Sequence, residues 1–222
     1  MEEIKIDKLI RSKRKTISLS VTASSTLVVR APFYVPIGYI KSLVLKKYFW
    51  IKAKKKEASK CEGVVIEKKF INGEDFLYLG KTYKLKIKDC EQIELSECLS
   101  FPNKFLNNPR LKMIEWYKEK ALQKIKERAD LFSNNTGWKY KKINITSAKT
   151  RWGSCSSTGS INFTWRLIMT PLEIIDYVVV HELAHVPEKN HSSLFWDKVK
   201  SVLPDYKERE KWLKTNRKSL NI

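Results

Sequence analysis

"HELAHVPEKNH", residues 181–191, contains all three histidines of the 222-residue chain. In a helix, residues four apart stand on one face, so His181 and His185 aim two imidazoles at one point. A tetrahedral Zn2+ needs just such a pair from a rigid element. Glu182 lies about 100° round the axis, beside an ion at that point but outside its coordination shell, where a carboxylate can take a proton from water. H-E-x-x-H is the arrangement of zinc hydrolases. The opposing reading makes the histidines satisfied core residues and pairs the glutamate with a cation. A helix as apolar as "IIDYVVVHELAHV" does not bury two imidazoles and a carboxylate without compensation.

Three protein ligands and one open position define a catalytic zinc site. His191 is the natural third ligand, with Glu188, three residues after His185, as its rival. Six residues of straight helix would leave His191 about 120° away from His185, so the chain must turn first. Pro187 has no N–H for the bond to the Leu183 carbonyl and clashes with it, and Asn190 tolerates the left-handed conformation that ends helices. "VPEKN" therefore reads as a stop that swings His191 back to the ion. Ser192 or Ser193 then caps the next helix, and Phe195 and Trp196 pin it to the core.

Apolar residues make up 42% of the chain and aromatics 11%, which places it among folded globular proteins. No secretory leader or membrane span is expected. Cys61, Cys90, Cys98 and Cys155 form no C-x-x-C pair and read as reduced thiols, so a cytoplasmic protein is expected. The net charge is +20, and it is uneven. Residues 1–60 carry 15 Lys+Arg against 4 Asp+Glu, 61–110 carry 8 of each, and 111–222 carry 21 against 12. Such a field draws anionic partners such as nucleic acid, nucleotides or acidic proteins, although a solvated lysine-rich surface accounts for it equally well.

The pattern predicts an α+β protein in two parts: a basic, β-rich N-terminal domain over 1–105 and a metal-dependent hydrolase domain over 106–222. In the first, "KTISLSVT" and "TLVVRAP" alternate like strands, and one amphipathic helix is expected over 37–59. "VVIEKKFI", "DFLYLG", "KTYKLKI" and "QIELSE" read as further strands. "SFPNKFLNNP", rich in proline and asparagine, marks the boundary. A long helix over about 110–131 follows, with Leu111, Ile114, Tyr117, Ala121, Leu122, Ile125 and Ala129 on its stripe. "KINITSAK" and "INFTWRLIM" read as strands, and "RWGSCSSTGS" as a strand end and turn. Thr170 is a plausible N-cap for the site helix that starts at Pro171. Two short helices, over about 192–202 and 204–214, close the chain.

"TRWGSCSSTGSINFTWRLIMTP", "DYVVVHELAH", "NHSSLFW" and the closing "PDY…WL" resemble the YgjP-like metallopeptidase family, which is related to SprT-like and other zincin proteins. "RSKRKTISLSV…LVVRAP" extends the resemblance over nearly the whole chain. It implies a zincin-like C-terminal fold, with the active-site helix against a small mixed sheet. It also implies ligands His181, His185 and His191, one Zn2+ (another divalent metal being possible) and Glu182 as the catalytic residue. Val186-Pro187 departs from the family's pattern at the helix end.

As a peptidase, Glu182 would act as general base and then proton donor, and "INFTWRLIM" would align an extended peptide by edge pairing. Arg151, Arg166 and Tyr206 are candidates for binding substrate or stabilising an oxyanion. Family members are also described as metal-dependent UTP pyrophosphatases. For a nucleotide substrate, Arg151, Lys149 and Arg166 would neutralise phosphates, and Trp152 or Trp165 could stack the base, although core packing is the commoner role for such tryptophans. A weak nucleic-acid association through the basic surface is the third expectation. No membrane partner is expected.

Overall fold

The structure is a computed structural model that describes residues 5–22, 25–59, 68–217, 219, 220 and 222, with the backbone alone over 57–59. Cys61 and the first half of "VVIEKKFI" lie outside the described residues. The chain divides into two compact units, Met1–Val64 and Val65–Ile222. No helix among the described residues is long and apolar enough to cross a membrane.

The first unit is a three-stranded sheet with two helices. β1 (Lys8–Ser12), β2 (Ser18–Val21) and β3 (Leu27–Pro32) lie in the order β1-β3-β2, with β3 parallel to β1 and antiparallel to β2. β1 was not expected, because its apolar alternation is diluted by lysine and arginine. Leu27, Val29 and Ala31 of β3 meet Ile40, Val44 and Ile51 in a small core. The single helix expected over 37–59 is two, α1 (Ile37–Lys46) and α2 (Tyr48–Ser59). They break at Lys47, whose φ of −100° and ψ of 15° leave the helical region. Neither Gly nor Pro marks the break, so the sequence carries no local sign of it.

The second unit begins with β4 (Asp75–Tyr78), β5 (Lys81–Lys88), β6 (Glu94–Leu95) and β7 (Leu99–Pro102), in the order β4-β5-β7-β6. These strands were expected in an N-terminal domain reaching residue 105; the compact unit they join starts at 65. Two physical reasons account for the difference. Phe76, Leu85, Leu99 and Phe101 share one core with the later helices. The β4–β5 turn, with Leu79 and Gly80 both at positive φ, donates its N–H groups to the carbonyls of Ile168 (2.7 Å) and Met169 (3.2 Å). Lys68–Phe70 forms no strand, and Ser100–Pro102, taken as the start of the boundary segment, belongs to a strand buried along its whole length.

α3 (Pro109–Thr136) is the long helix, stopped by Gly137 in the left-handed conformation (φ 76°). Its buried stripe runs Met113, Trp116, Tyr117, Ala121, Ile125 and Ala129, whereas Leu111 and Leu122 are exposed. β8 (Lys142–Thr146), β9 (Gly153–Cys155) and β10 (Ser160–Thr164) form a small mixed sheet in the order β8-β10-β9. The strand expected over 161–169 ends at Thr164, and Trp165–Met169 coils into a 3-10 turn. α4 (Leu172–Ala184) follows; α5 (Ser193–Val202) and α6 (Tyr206–Asn216) close the unit. The architecture is α+β, with the site helix beside a small mixed sheet as expected.

Candidate metal centre

α4 is buried from Ile174 to Val180 and again over Glu182–Ala184. One charged pair orients it: Asp176 accepts two hydrogen bonds from Arg128 of α3, at 2.6 and 2.9 Å. Thr170 is not the cap. Its hydroxyl is spent on the Leu167 and Pro171 carbonyls, and Pro171 holds the N-cap position.

The helix ends at Ala184, three residues before Pro187 leaves it no N–H to continue with. Val186 N–H takes the Leu183 carbonyl (2.9 Å), and Glu188 N–H takes that of Ala184 (3.1 Å). Asn190 is not among the residues at positive φ, so the turn is made without a left-handed residue there. Ser192 caps α5 by accepting from the Phe195 N–H at 3.3 Å.

This turn brings the three histidines together, with ligating atoms within 4.8 Å of one another. His191 Nε2 lies 3.1 Å from His181 Nε2. Tetrahedral Zn–N bonds of about 2.0–2.1 Å put ligand nitrogens roughly 3.4 Å apart, so this pair already has the spacing of two ligands of one ion. Glu188, the rival ligand, contributes its backbone instead: its carbonyl accepts from His185 Nδ1 at 3.1 Å. A carbonyl can only accept, so Nδ1 carries the proton and the lone pair is left on Nε2, the atom a metal could take when a histidine is oriented from behind. Burial pushes His181 down to about 3, with His185 and His191 adding to the effect, and burial also lowers His185. Both imidazoles are thereby kept in the neutral form that binds metal.

Phe195 backs the whole set, its ring 5.0 Å from His181, 4.5 Å from His185 and 4.7 Å from His191. Trp196 packs on His181 and His191 and stacks on Tyr206 at 5.3 Å. Tyr206, expected to bind substrate, therefore meets the histidines through Trp196.

Glu182 is 6% exposed. Burial pushes its carboxyl up to about 8, and the positive charge of Arg151 works against that shift. It shares a cleft of about 310 Å3 with His181, Tyr177 and Trp152, walled on the far side by Leu213 and Lys214 of α6. Gly153 of β9 lies against it: a β-carbon there would fall 2.5 Å from Glu182 Oε1 and 2.6 Å from its Cγ. Sequence reasoning passed over this glycine; the signal was its place beside Trp152 in "RWGSC".

The other candidates divide. Arg151 is exposed and lines a polar recess of about 270 Å3 on the sheet face, with Ser154 and Asn162. Trp152 lines both this recess and the metal cleft. Trp165, 1% exposed, stacks on Tyr117 inside the core. Arg166, 9% exposed, lies 4.4 Å over Trp165 and donates to the Ser147 and Ala148 carbonyls. The end of β10 turns these two inward, toward the core. Lys149 is exposed, and its carbonyl accepts from Arg217.

The model of the YgjP-like metallopeptidase domain matches residues 15–216. Among solved structures, the metallopeptidase zymogen of Pyrococcus abyssi abylysin is similar at 26% identity, over 41% of this chain and 92% of its own, with a TM-score of 0.39. A comparison with curated proteins gives no match. The matched stretch includes Gly153, the paired histidines on α4 and His191, and the chain belongs to the YgjP-like metallopeptidase family of metal-dependent hydrolases.

Proposed function

We propose that the chain is a zinc peptidase, with His181, His185 and His191 as ligands and Glu182 as general base. One observation carries the reading: the Glu182 carboxylate, buried under Gly153, shares its cleft with the imidazole of His181. Three neutral imidazoles and an open position form the ligand set of catalytic zinc. The ion, when bound, supplies Lewis acidity. Glu182 takes the proton of the attacking water and returns it to the leaving amine. Its raised affinity for that proton comes from burial, and nearby positive charge such as Arg151 brings it toward working pH.

β9 suits a peptide. "INFTWRLIM" was expected to supply the pairing edge, but β10 is the central strand and β9 the outer one. Thr164 N–H donates to Trp152 O, and Ser156 N–H to Ser160 O. By antiparallel alternation, Trp152, Ser154 and Ser156 bond inward, and Gly153 and Cys155 turn their N–H and C=O groups to the open edge. An extended substrate paired there runs past Glu182. Arg151, at the start of β9, is the substrate-contacting cation in this reading.

The alternative is a nucleotide pyrophosphatase, with Arg151 and Lys149 on the phosphates and Trp152 on the base. A screen of unfolded protein against UTP and other nucleotides, with Glu182→Gln as the blank, decides between them. Turnover of protein, lost in Glu182→Gln with the metal retained, is the expected result. If purified protein holds no divalent ion, both versions fail.

A weak nucleic-acid association is a separate reading, favoured by the exposed aromatics Phe33, Tyr34, Tyr39, Phe49 and Trp50 on the basic first unit. Failure to bind oligonucleotides at low salt removes it.

A further inference from the structure

The first unit has an open groove of about 710 Å3 that the hydrolase reading does not use, a size within the range of ligand pockets. One wall is α1, where Ile37, Lys41 and Leu45 recur every four residues on one stripe, with Val44 at its base. Ile40 points instead into the core, so α1 has an inner and an outer apolar face. The other wall is β1 and its approach, with Lys5, Ile6 and Leu9. Ile37, Leu45 and Leu9 are 48%, 55% and 37% exposed, a clustered aliphatic surface that isolated chance exposure does not produce.

Two further observations say what fits. β1 is an outer strand, bonded only to β3 among the described residues, so its other edge carries backbone groups without a ladder partner there. The charge in the groove has one sign. Among the described residues, Lys5 and Lys41 line it and no carboxylate does. Asp7, the nearest acid in sequence, is engaged elsewhere, accepting from Leu27 N–H at 2.6 Å and Lys55 at 3.0 Å. The walls are aliphatic, without a ring on which a base could stack, which argues against a nucleic-acid strand in this groove.

We propose that the β1–α1 groove docks an extended peptide segment of another protein, bearing aliphatic side chains and carboxylates, as an added strand on β1. Backbone pairing supplies affinity, alternate aliphatic side chains enter between β1 and α1, and the carboxylates meet Lys5 and Lys41. The proposal is independent of the metal centre, because the described lining residues all belong to the first unit.

The test is fluorescence anisotropy on the full-length protein. The probes are a dye-labelled peptide of alternating valine and glutamate, its valine–lysine counterpart, and a version with alternate backbone nitrogens methylated. The glutamate peptide is expected to bind, the lysine peptide not to, and the methylated one to lose affinity. Leu45→Asp and Lys41→Glu, both at exposed positions, should each weaken binding by roughly tenfold, with circular dichroism confirming that the fold is intact. Equal binding of the two charge types, or variants that bind like the parent, overturns the proposal. Displacement of a fully binding methylated peptide by oligothymidylate would assign the surface to a polyanion and also overturn it.

Discussion

Gly153 and Glu182 are packed so closely that no side chain fits between them: a β-carbon on residue 153 would stand 2.5 Å from Glu182 Oε1. Gly153→Ala must push the carboxylate out of its place or bend β9. Turnover is expected to fall by on the order of a hundredfold, the usual size of a 1 Å misplacement. Metal content should be unchanged, since the three histidines are untouched. Steady-state kinetics beside metal analysis check this, and an alanine variant with parental turnover removes Glu182 from the reaction.

Pro187→Ala restores an N–H beside the Leu183 carbonyl and lets α4 run on. Continued helix carries His191 away from the ion, so metal affinity should drop by about tenfold or more. Competition with a chelator of known affinity measures it. Stability without metal should change little, because Pro187 is exposed.

Acid should destabilise the metal-free protein through His181. Burial holds its folded pKa near 3, well below the ordinary 6.5. Between these values the unfolded chain binds a proton that the folded chain does not. Stability is therefore fully present above pH 6.5 and is lost progressively as pH falls toward 3. Urea melts of chelator-treated protein across that window show the slope, and His181→Asn should flatten it. Bound metal steepens the same dependence, because ligands must be deprotonated.

The pair Arg128–Asp176 fixes α4 on α3 from a largely buried position, with side chains 19% and 12% exposed. Asp176→Ala leaves the guanidinium without its partner and should cost about 3–5 kcal/mol. The double variant Asp176→Leu, Arg128→Met should regain most of it. Denaturant unfolding of the three proteins gives the comparison.

What the sequence made legible was local. Two histidines four apart, a proline two residues past the second and a serine cap are read along the chain, and they give His181, His185 and the turn to His191. What it hid depends on distant partners. Gly153 meets Glu182, and Arg128 meets Asp176, across spacings that no periodicity encodes. The Glu188 carbonyl, which orients His185, is invisible because a backbone group has no residue type. Arg166 and Trp165 looked like site residues because they precede the metal helix; the 3-10 turn after β10 rotates them into the core. Ser100–Pro102 looked like the start of a boundary because its proline and the following asparagines mimic one, yet it pairs in parallel with β5. The unit boundary went astray with it.

Phe195 touches all three imidazoles and is fully buried at the start of α5. His181 and His185, less exposed than His191, are held against that ring, and the first turn that carries it must move for both to swing aside. Exchange of the ion is thereby tied to an opening of the helix. Chelator-driven release should be slow, steeply temperature-dependent and independent of chelator concentration once saturating, with a rate set by the protein's own breathing.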